Sequence, residues 1–283
     1  MAKVLRALAW FAAGAAAGAV LSRTAPTNHG PRALERHLHD AIFRDEFTVL
    51  YQPIVHLRDG QCSGVEALLR WRNGHGILLS PDTFMAVALE TGLIEPITER
   101  VIELVAADMI PLLRERPEFH VGINVPPGLL GRGRHLALVA ERCGLMEYIA
   151  QIVIEITETS IVDALSRQAV TLARAMQARV AIDDFGTGNN ELAQLQDLEI
   201  DFIKIDKSFV CRLGCHQQAT KFVEWIVDLT HDIGAQSIAE GVETEAQADY
   251  LRGLGVELVQ GYLYAKPLTL PELRGFLNRH PAA

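Results

Sequence analysis

Short apolar runs alternate with longer amphipathic stretches along most of this chain. FTVLYQPIV (47–55), IVIEI (152–156) and VAI (180–182) are brief and rich in β-branched residues. Such runs fit strands covered on both faces better than strands with one wet side. Strands are expected near 47–55, 61–69, 119–124, 151–156, 179–183, 201–205, 236–240 and 257–260. Helical spacing fills the gaps, near 34–45, 82–91, 96–113, 132–143, 163–177, 190–196, 217–233, 244–253 and 269–278. Ser80 followed by Pro81 marks the start of the second of these. The Asp59-Gly60 pair between the first two strands is a hairpin signal, and strands joined by so short a turn must be antiparallel. The pattern therefore predicts a (β/α) barrel whose first strand breaks the all-parallel rule.

The ends of the expected strands carry the chemistry. Glu66, Asn124, Glu155, Asp183 with Asp184, Lys204, Glu240 and Gln260 stand where an apolar residue would be the default. A barrel builds its active site from the carboxyl ends of different strands, so these groups should converge on one mouth. Each has a plainer explanation alone: Glu66 beside Arg70 on a surface, Asp183-Asp184 in a capped turn, Lys204 paired with Asp206. Falling together at successive strand ends, they read as one site. Buried carboxylates need a base or a metal, and Lys204 cannot neutralise all of them. Asp, Glu and Asn oxygens favour hard ions such as Mg²⁺, Mn²⁺ or Ca²⁺ over zinc. Adjacent carboxylates at 183 and 184 would allow one side chain to bridge two ions, an arrangement suited to in-line displacement at phosphorus.

Length and charge narrow the choice. The chain has 283 residues, which fits one barrel of about 250 plus a short extension. A net charge of −9 argues against nonspecific binding to DNA or RNA. The four cysteines form no paired C-x-x-C units, and the ten histidines show no metalloprotease spacing, so neither set points to zinc.

Residues 1–23 differ in kind. Lys3 and Arg6 precede the fifteen-residue run ALAWFAAGAAAGAVL, closed by Ser22 and Arg23. As a helix this run spans roughly 22 Å, short of the hydrocarbon core of about 30 Å unless the flanking arginines snorkel. A short membrane anchor, a cleaved signal peptide and a peripheral helix are the three readings. Residues 24–33 follow as a linker, and residues 34–278 form the folded domain.

The segments YQPIV (51–55), EALLRW (66–71), INV (123–125), EITE (155–158), DDFGTG (183–188), KIDKSFV (204–210), AEGVET (239–244) and QGYLY (260–264) resemble, in order, those of the EAL domain family of cyclic di-GMP phosphodiesterases. The resemblance runs from about residue 34 to residue 278. It implies a modified TIM (β/α)₈ barrel with one antiparallel strand, here preceded by the short apolar N-terminal helix. It also implies hydrolysis of cyclic di-GMP to linear pGpG with two Mg²⁺ or Mn²⁺ ions. By position, Glu66, Asn124, Glu155 and Asp183 correspond to ligands of one metal, and Asp183, Asp184 and Glu240 to ligands of the other. Lys204 corresponds to the lysine that meets the attacking water, and Gln260 to a glutamine that helps hold it. Gln52, Arg70 and Glu243 correspond to substrate-binding positions, and Glu158 to a glutamate that anchors the loop after DDFG. A homodimer is expected on the same ground. So is a place at the inner membrane, with the catalytic domain in the cytoplasm where the nucleotide is found. The chain departs from the family pattern at Asn189-Asn190-Glu191 after DDFGTG, and at Leu89 and Pro126. A catalytically silent receptor of the same fold is the alternative reading.

Overall fold

The computed structural model describes residues 31–126, 129, 133–158, 164–187 and 198–280. The expected apolar helix, the helix near 190–196 and the departures at Asn189, Asn190 and Glu191 lie outside the described residues. Among those described, no helix is long and apolar enough to cross a membrane.

Strand β1 (Phe47–His56) turns through Gly60, held at a left-handed φ of 71°, into β2 (Cys62–Arg72). After the two-residue β3 (Leu78–Leu79) come β4 (His120–Asn124), β5 (Ile152–Thr157), β6 (Arg179–Phe185), β7 (Phe202–Ile205), β8 (Gln236–Glu240) and β9 (Leu258–Gln260). The order β1-β9-β8-β7-β6-β5-β4-β2 is closed by pairing of β1 with β2, while β3 hangs on the outer end of β2. β1 is antiparallel to both neighbours, whereas β2 and β4 to β9 run parallel. The hairpin expected at Asp59-Gly60 is thus what sets the odd strand.

Helix α1 (Pro31–Phe43) leads into β1, and α2 (Met85–Thr91) and α3 (Ile94–Glu115) connect β3 to β4. Around the rest of the barrel lie α4 (Gly133–Arg142), α5 (Ala164–Ala175), the short α6 (Lys207–Val210), α7 (Gln217–Asp232), α8 (Glu245–Leu254) and α9 (Leu270–Arg279). Threonines 244 and 269 start the last two with reciprocal capping boxes to Gln247 and Glu272. Such a pair satisfies two otherwise orphaned backbone donors. The main core lies between the strands and these helices. Tyr51, wholly buried on the outer face of β1, donates from its hydroxyl to Asp108 on α3 at 2.7 Å.

A second apolar cluster fills the barrel itself: Ile54, Val153, Ala181, Phe202, Ile238 and Leu258. Each lies two residues from a polar site position on the same strand, namely Gln52, Glu155, Asp183, Lys204, Glu240 and Gln260. Because strand side chains alternate with period two, this apolar layer is the floor on which the polar layer stands. On β2 and β4 the corresponding positions are Gly64 and Gly122, and the buried ring of His120 fills the space beside Gly64. That ring stacks on Phe202 at 5.2 Å, and burial pushes its pKa down to about 3, so it is neutral.

Candidate active site

The polar layer converges as the strand pattern implies. Lys204 is wholly buried, and its Nζ lies 2.8 Å from Glu155 Oε2, 2.7 Å from Glu240 Oε1, 3.2 Å from Asp183 Oδ1 and 3.3 Å from Glu66 Oε2. The ammonium is thus enclosed in four carboxylates. Asp206 is not its partner; that side chain caps α6 by accepting from Ser208 N at 2.9 Å.

Two sequence expectations need correction. Glu66 does not end its strand: β2 continues to Arg72, because β1 pairs with it from Ala67 to Trp71 and β3 adds the pairs at Trp71 and Arg72. The paired aspartates are not a simple strand tip either. In a regular strand Asp183 and Asp184 would face opposite sides. The β6–β7 register slips between Ile182 and Phe185, and Asp184 takes a φ of 54°. This bulge turns both carboxylates into the site, at a backbone cost of about 1–3 kcal/mol for a non-glycine in that region.

Glu66 is the best-satisfied acid. Asn124 Nδ2 donates to its Oε1 at 2.9 Å and Gln260 Nε2 to its Oε2 at 2.8 Å. Burial alone would raise its pKa, but Lys204 and the two amides outweigh burial and hold it below the usual value. The other acids go the opposite way. Burial raises Glu155 well above the carboxylate range and raises Asp183, with Lys204 opposing and Glu66 adding to the effect. Burial and then the charges of Asp183 and Glu240 push Asp184 up to about 9; burial takes Glu240 to about 8.

Five carboxylates against one ammonium leave four formal negative charges in excess, which two divalent cations would cancel. Ligand oxygens of Asp183, Asp184 and Glu240 all lie within 4.8 Å of one another. Asp183 Oδ2 and Glu240 Oε2 are buried with no hydrogen-bond partner among the described residues. Buried charged oxygens are costly unless something pairs with them, so this donor set fits a hard cation. Asn124, Glu66 and Glu155 lie beside it, tied to one another and to Lys204. A second possible donor group, Glu95 and Glu99 on α3 with His135 on α4, lies on the outer helices and is half-exposed to exposed. There His135 Nε2 already meets Glu99 at 2.8 Å.

The surrounding positions are also placed. Gln52 and Arg70 are buried; Arg70 donates to the Leu69 carbonyl at 2.7 Å and its field reaches Glu66, Tyr262 and Asp82. Glu243 is exposed at the start of α8, close enough to raise the Tyr262 hydroxyl slightly after burial has done so. Glu158 Oε2 accepts from Gly186 N at 2.9 Å, holding the first residue after β6. All four cysteines are free. Sequence reasoning missed Gly122, whose absent side chain makes room for Glu155; a glycine inside a strand is the signal for such a close approach.

A pH dependence follows for the metal-free protein. Asp184 and Glu240 keep their protons to about 9 and about 8 when folded, whereas unfolded carboxylates release theirs near 4. Between those limits unfolding releases protons, so stability is full at the acid end and is lost as pH rises. The Tm of chelator-treated protein is expected to fall from about pH 5 to about pH 9; a Tm rising over that range would count against these shifts.

The EAL domain family matches residues 35–267. The probable cyclic di-GMP phosphodiesterase PdeD of Escherichia coli (strain K12) is 37% identical over 254 residues, which cover 87% of this chain and 46% of that protein. The chain thus spans about half the length of that curated relative. Among solved structures, the PaMucR phosphodiesterase in complex with c-di-GMP superposes with a TM-score of 0.79 at 31% identity, over 85% of this chain and 99% of that one. The EAL enzyme Bd1971, in a form bound to cAMP and cyclic di-GMP, gives a TM-score of 0.81 at 30% identity, over 87% and 69% of the two chains.

Proposed function

The chain belongs to the EAL domain family, and from that premise we propose that it hydrolyses cyclic di-GMP to linear pGpG with two Mg²⁺ or Mn²⁺ ions. The observation that carries the reading is the ring of buried acids around Lys204, with oxygens of Asp183 and Glu240 left without a hydrogen-bond partner. A receptor that only holds a dianionic nucleotide has no use for five buried carboxyl groups gathered around one ammonium. When bound by Glu66, Asn124, Glu155 and Asp183 and by Asp183, Asp184 and Glu240, divalent cations would neutralise phosphate oxygens and activate a water as nucleophile.

The remaining work falls to the chain's own groups. Water adds across one P–O3′ bond, leaving a 5′-phosphate and a free 3′-hydroxyl that carries off a proton. Glu66, kept ionised by its neighbours, is an acceptor only, and so fixes the direction of the Asn124 and Gln260 amides. Lys204 holds Glu66, Glu155, Asp183 and Glu240 at fixed separations and places a positive charge where phosphate charge develops. Arg70 offers a guanidinium suited to a second phosphate, and Glu243 an acceptor at the rim for a guanine edge.

Residues 30–283 supplied with Mg²⁺ or Mn²⁺ should convert cyclic di-GMP to pGpG, and Glu66→Ala should abolish the conversion. A chelator should remove both turnover and nucleotide binding, because the acids would otherwise repel the phosphates. Metal-dependent binding without product would replace this reading with the silent-receptor one.

A further inference from the structure

We propose that Gln52 is a positioning residue that fixes the amide of Gln260 so that Gln260 Oε1 faces the reacting centre as a hydrogen-bond acceptor. This rests on the hydrolase reading above and departs from the substrate contact that the family resemblance implies for Gln52.

The argument is one of donor and acceptor polarity. Gln260 Nε2 lies 2.8 Å from Glu66 Oε2 and 3.1 Å from Gln52 Oε1. Gln52 Nε2 in turn lies 3.3 Å from the carbonyl of Ala265. The far end of this chain of amides, the backbone carbonyl of Ala265, can only accept. Gln52 must therefore show its nitrogen to Ala265 and its oxygen to Gln260. The Gln260 nitrogen must then face Gln52 with one proton and the Glu66 carboxyl oxygen with the other. Any flip of either amide sets two acceptors or two donors face to face.

What this leaves over is Gln260 Oε1, buried and without a hydrogen-bond partner among the described residues. A buried amide oxygen with no donor is costly, so its direction implies a donor that arrives with the reaction, a water being the smallest. The far anchor is rigid. β9 ends at Gln260, and above it the wall beside β1 is completed by paired hydrogen bonds between Tyr51 and Leu268, each 2.8 Å. Ala265 is held by its own N–H on the Gly261 carbonyl at 3.1 Å. Gln52, directly opposite Glu66 in the β1–β2 register, is the one side chain among those described that joins this segment to Gln260.

Gln52→Leu, with near-isosteric Gln52→Met as a second variant should leucine pack badly, removes the link. In either variant kcat is expected to fall roughly tenfold or more while KM stays within about threefold. Gln52→Leu added to Gln260→Leu should cost nothing further, because the two act as one unit. In metal-free protein the side-chain amide proton signals of Gln260, identified by their loss in Gln260→Leu, should shift in Gln52→Leu. A rise in KM at unchanged kcat would make Gln52 a direct substrate contact and overturn the proposal. So would independent losses in the double variant, or unshifted amide signals. Should the wild-type chain leave cyclic di-GMP intact, the hydrolase reading falls, and the amide signals decide this proposal alone.

Discussion

Lys204→Met is expected to abolish turnover and at the same time make the metal-free protein strongly dependent on divalent cations for its fold. The ammonium is the only cation within 3.3 Å of Glu66, Glu155, Asp183 and Glu240 among the described residues. Breaking a buried ion pair from one side leaves uncompensated charge, at a cost of about 3–5 kcal/mol. Protonation of Glu155, Asp183 and Glu240, already raised by burial, will soften this loss without removing it. A cation that binds only the folded state stabilises in proportion to its occupancy. The rise in Tm on adding Mn²⁺ should therefore be larger in the variant than in the wild type, while kcat falls by at least about 10²-fold. A metal-free variant as stable as the wild type would show that the acids carry protons, not charge, and that Lys204 compensates nothing.

Gly122→Ala should cost about 10²-fold in turnover while leaving the barrel folded. A Cβ built at Gly122 would stand 2.0 Å from Glu155 Oε1 and 3.0 Å from its Cδ, far inside any real contact. The backbone there is ordinary extended strand, so alanine meets no conformational penalty, and its smaller unfolded-state entropy is worth a few tenths to about 1 kcal/mol in its favour. The clash is therefore resolved by moving the carboxylate, which breaks its 2.8 Å bond from Lys204. A methyl group in a neighbouring strand thus acts on the reaction through one displaced acid. The check is kcat and Mn²⁺ affinity measured beside circular dichroism. Wild-type kcat in a folded Gly122→Ala protein would show that Glu155 has room to spare.

The parts of this molecule that depend on local chemistry were readable in advance. Short continuous apolar runs located the eight barrel strands to within three residues at each end. Asp59-Gly60 gave the antiparallel hairpin, because a connection as short as residues 57–61 admits no other pairing. The acids were readable as a group, since polar residues at the ends of apolar runs have nowhere to go but the mouth. The features that depend on contacts across the barrel were not. The bulge that brings Asp184 round to join Asp183 shows only in the β6–β7 register. The end of β2 at Arg72, beyond the reach of β1, needs the pairing of Leu78 and Leu79, two residues that carry no strand signal alone. The role of Gly122 needs Glu155 beside it, and the amide polarity at Gln52 needs Ala265, which is 213 residues away along the chain.

The single reversed strand also decides how force passes through the wall. In an all-parallel barrel the polypeptide reaches its first strand at the floor, far from the chemistry. Here β1 starts beside the far end of β2, Phe47 opposite Trp71. The connector from α1 is stitched there twice, by Trp71 Nε1 donating to Glu46 Oε2 at 2.9 Å and by Arg72 N donating to the Glu46 carbonyl at 2.7 Å. A tug on α1 is therefore delivered as shear along the strand that carries Arg70 and Glu66, at the rim and not at the base. The barrel has its handle on the same side as its mouth.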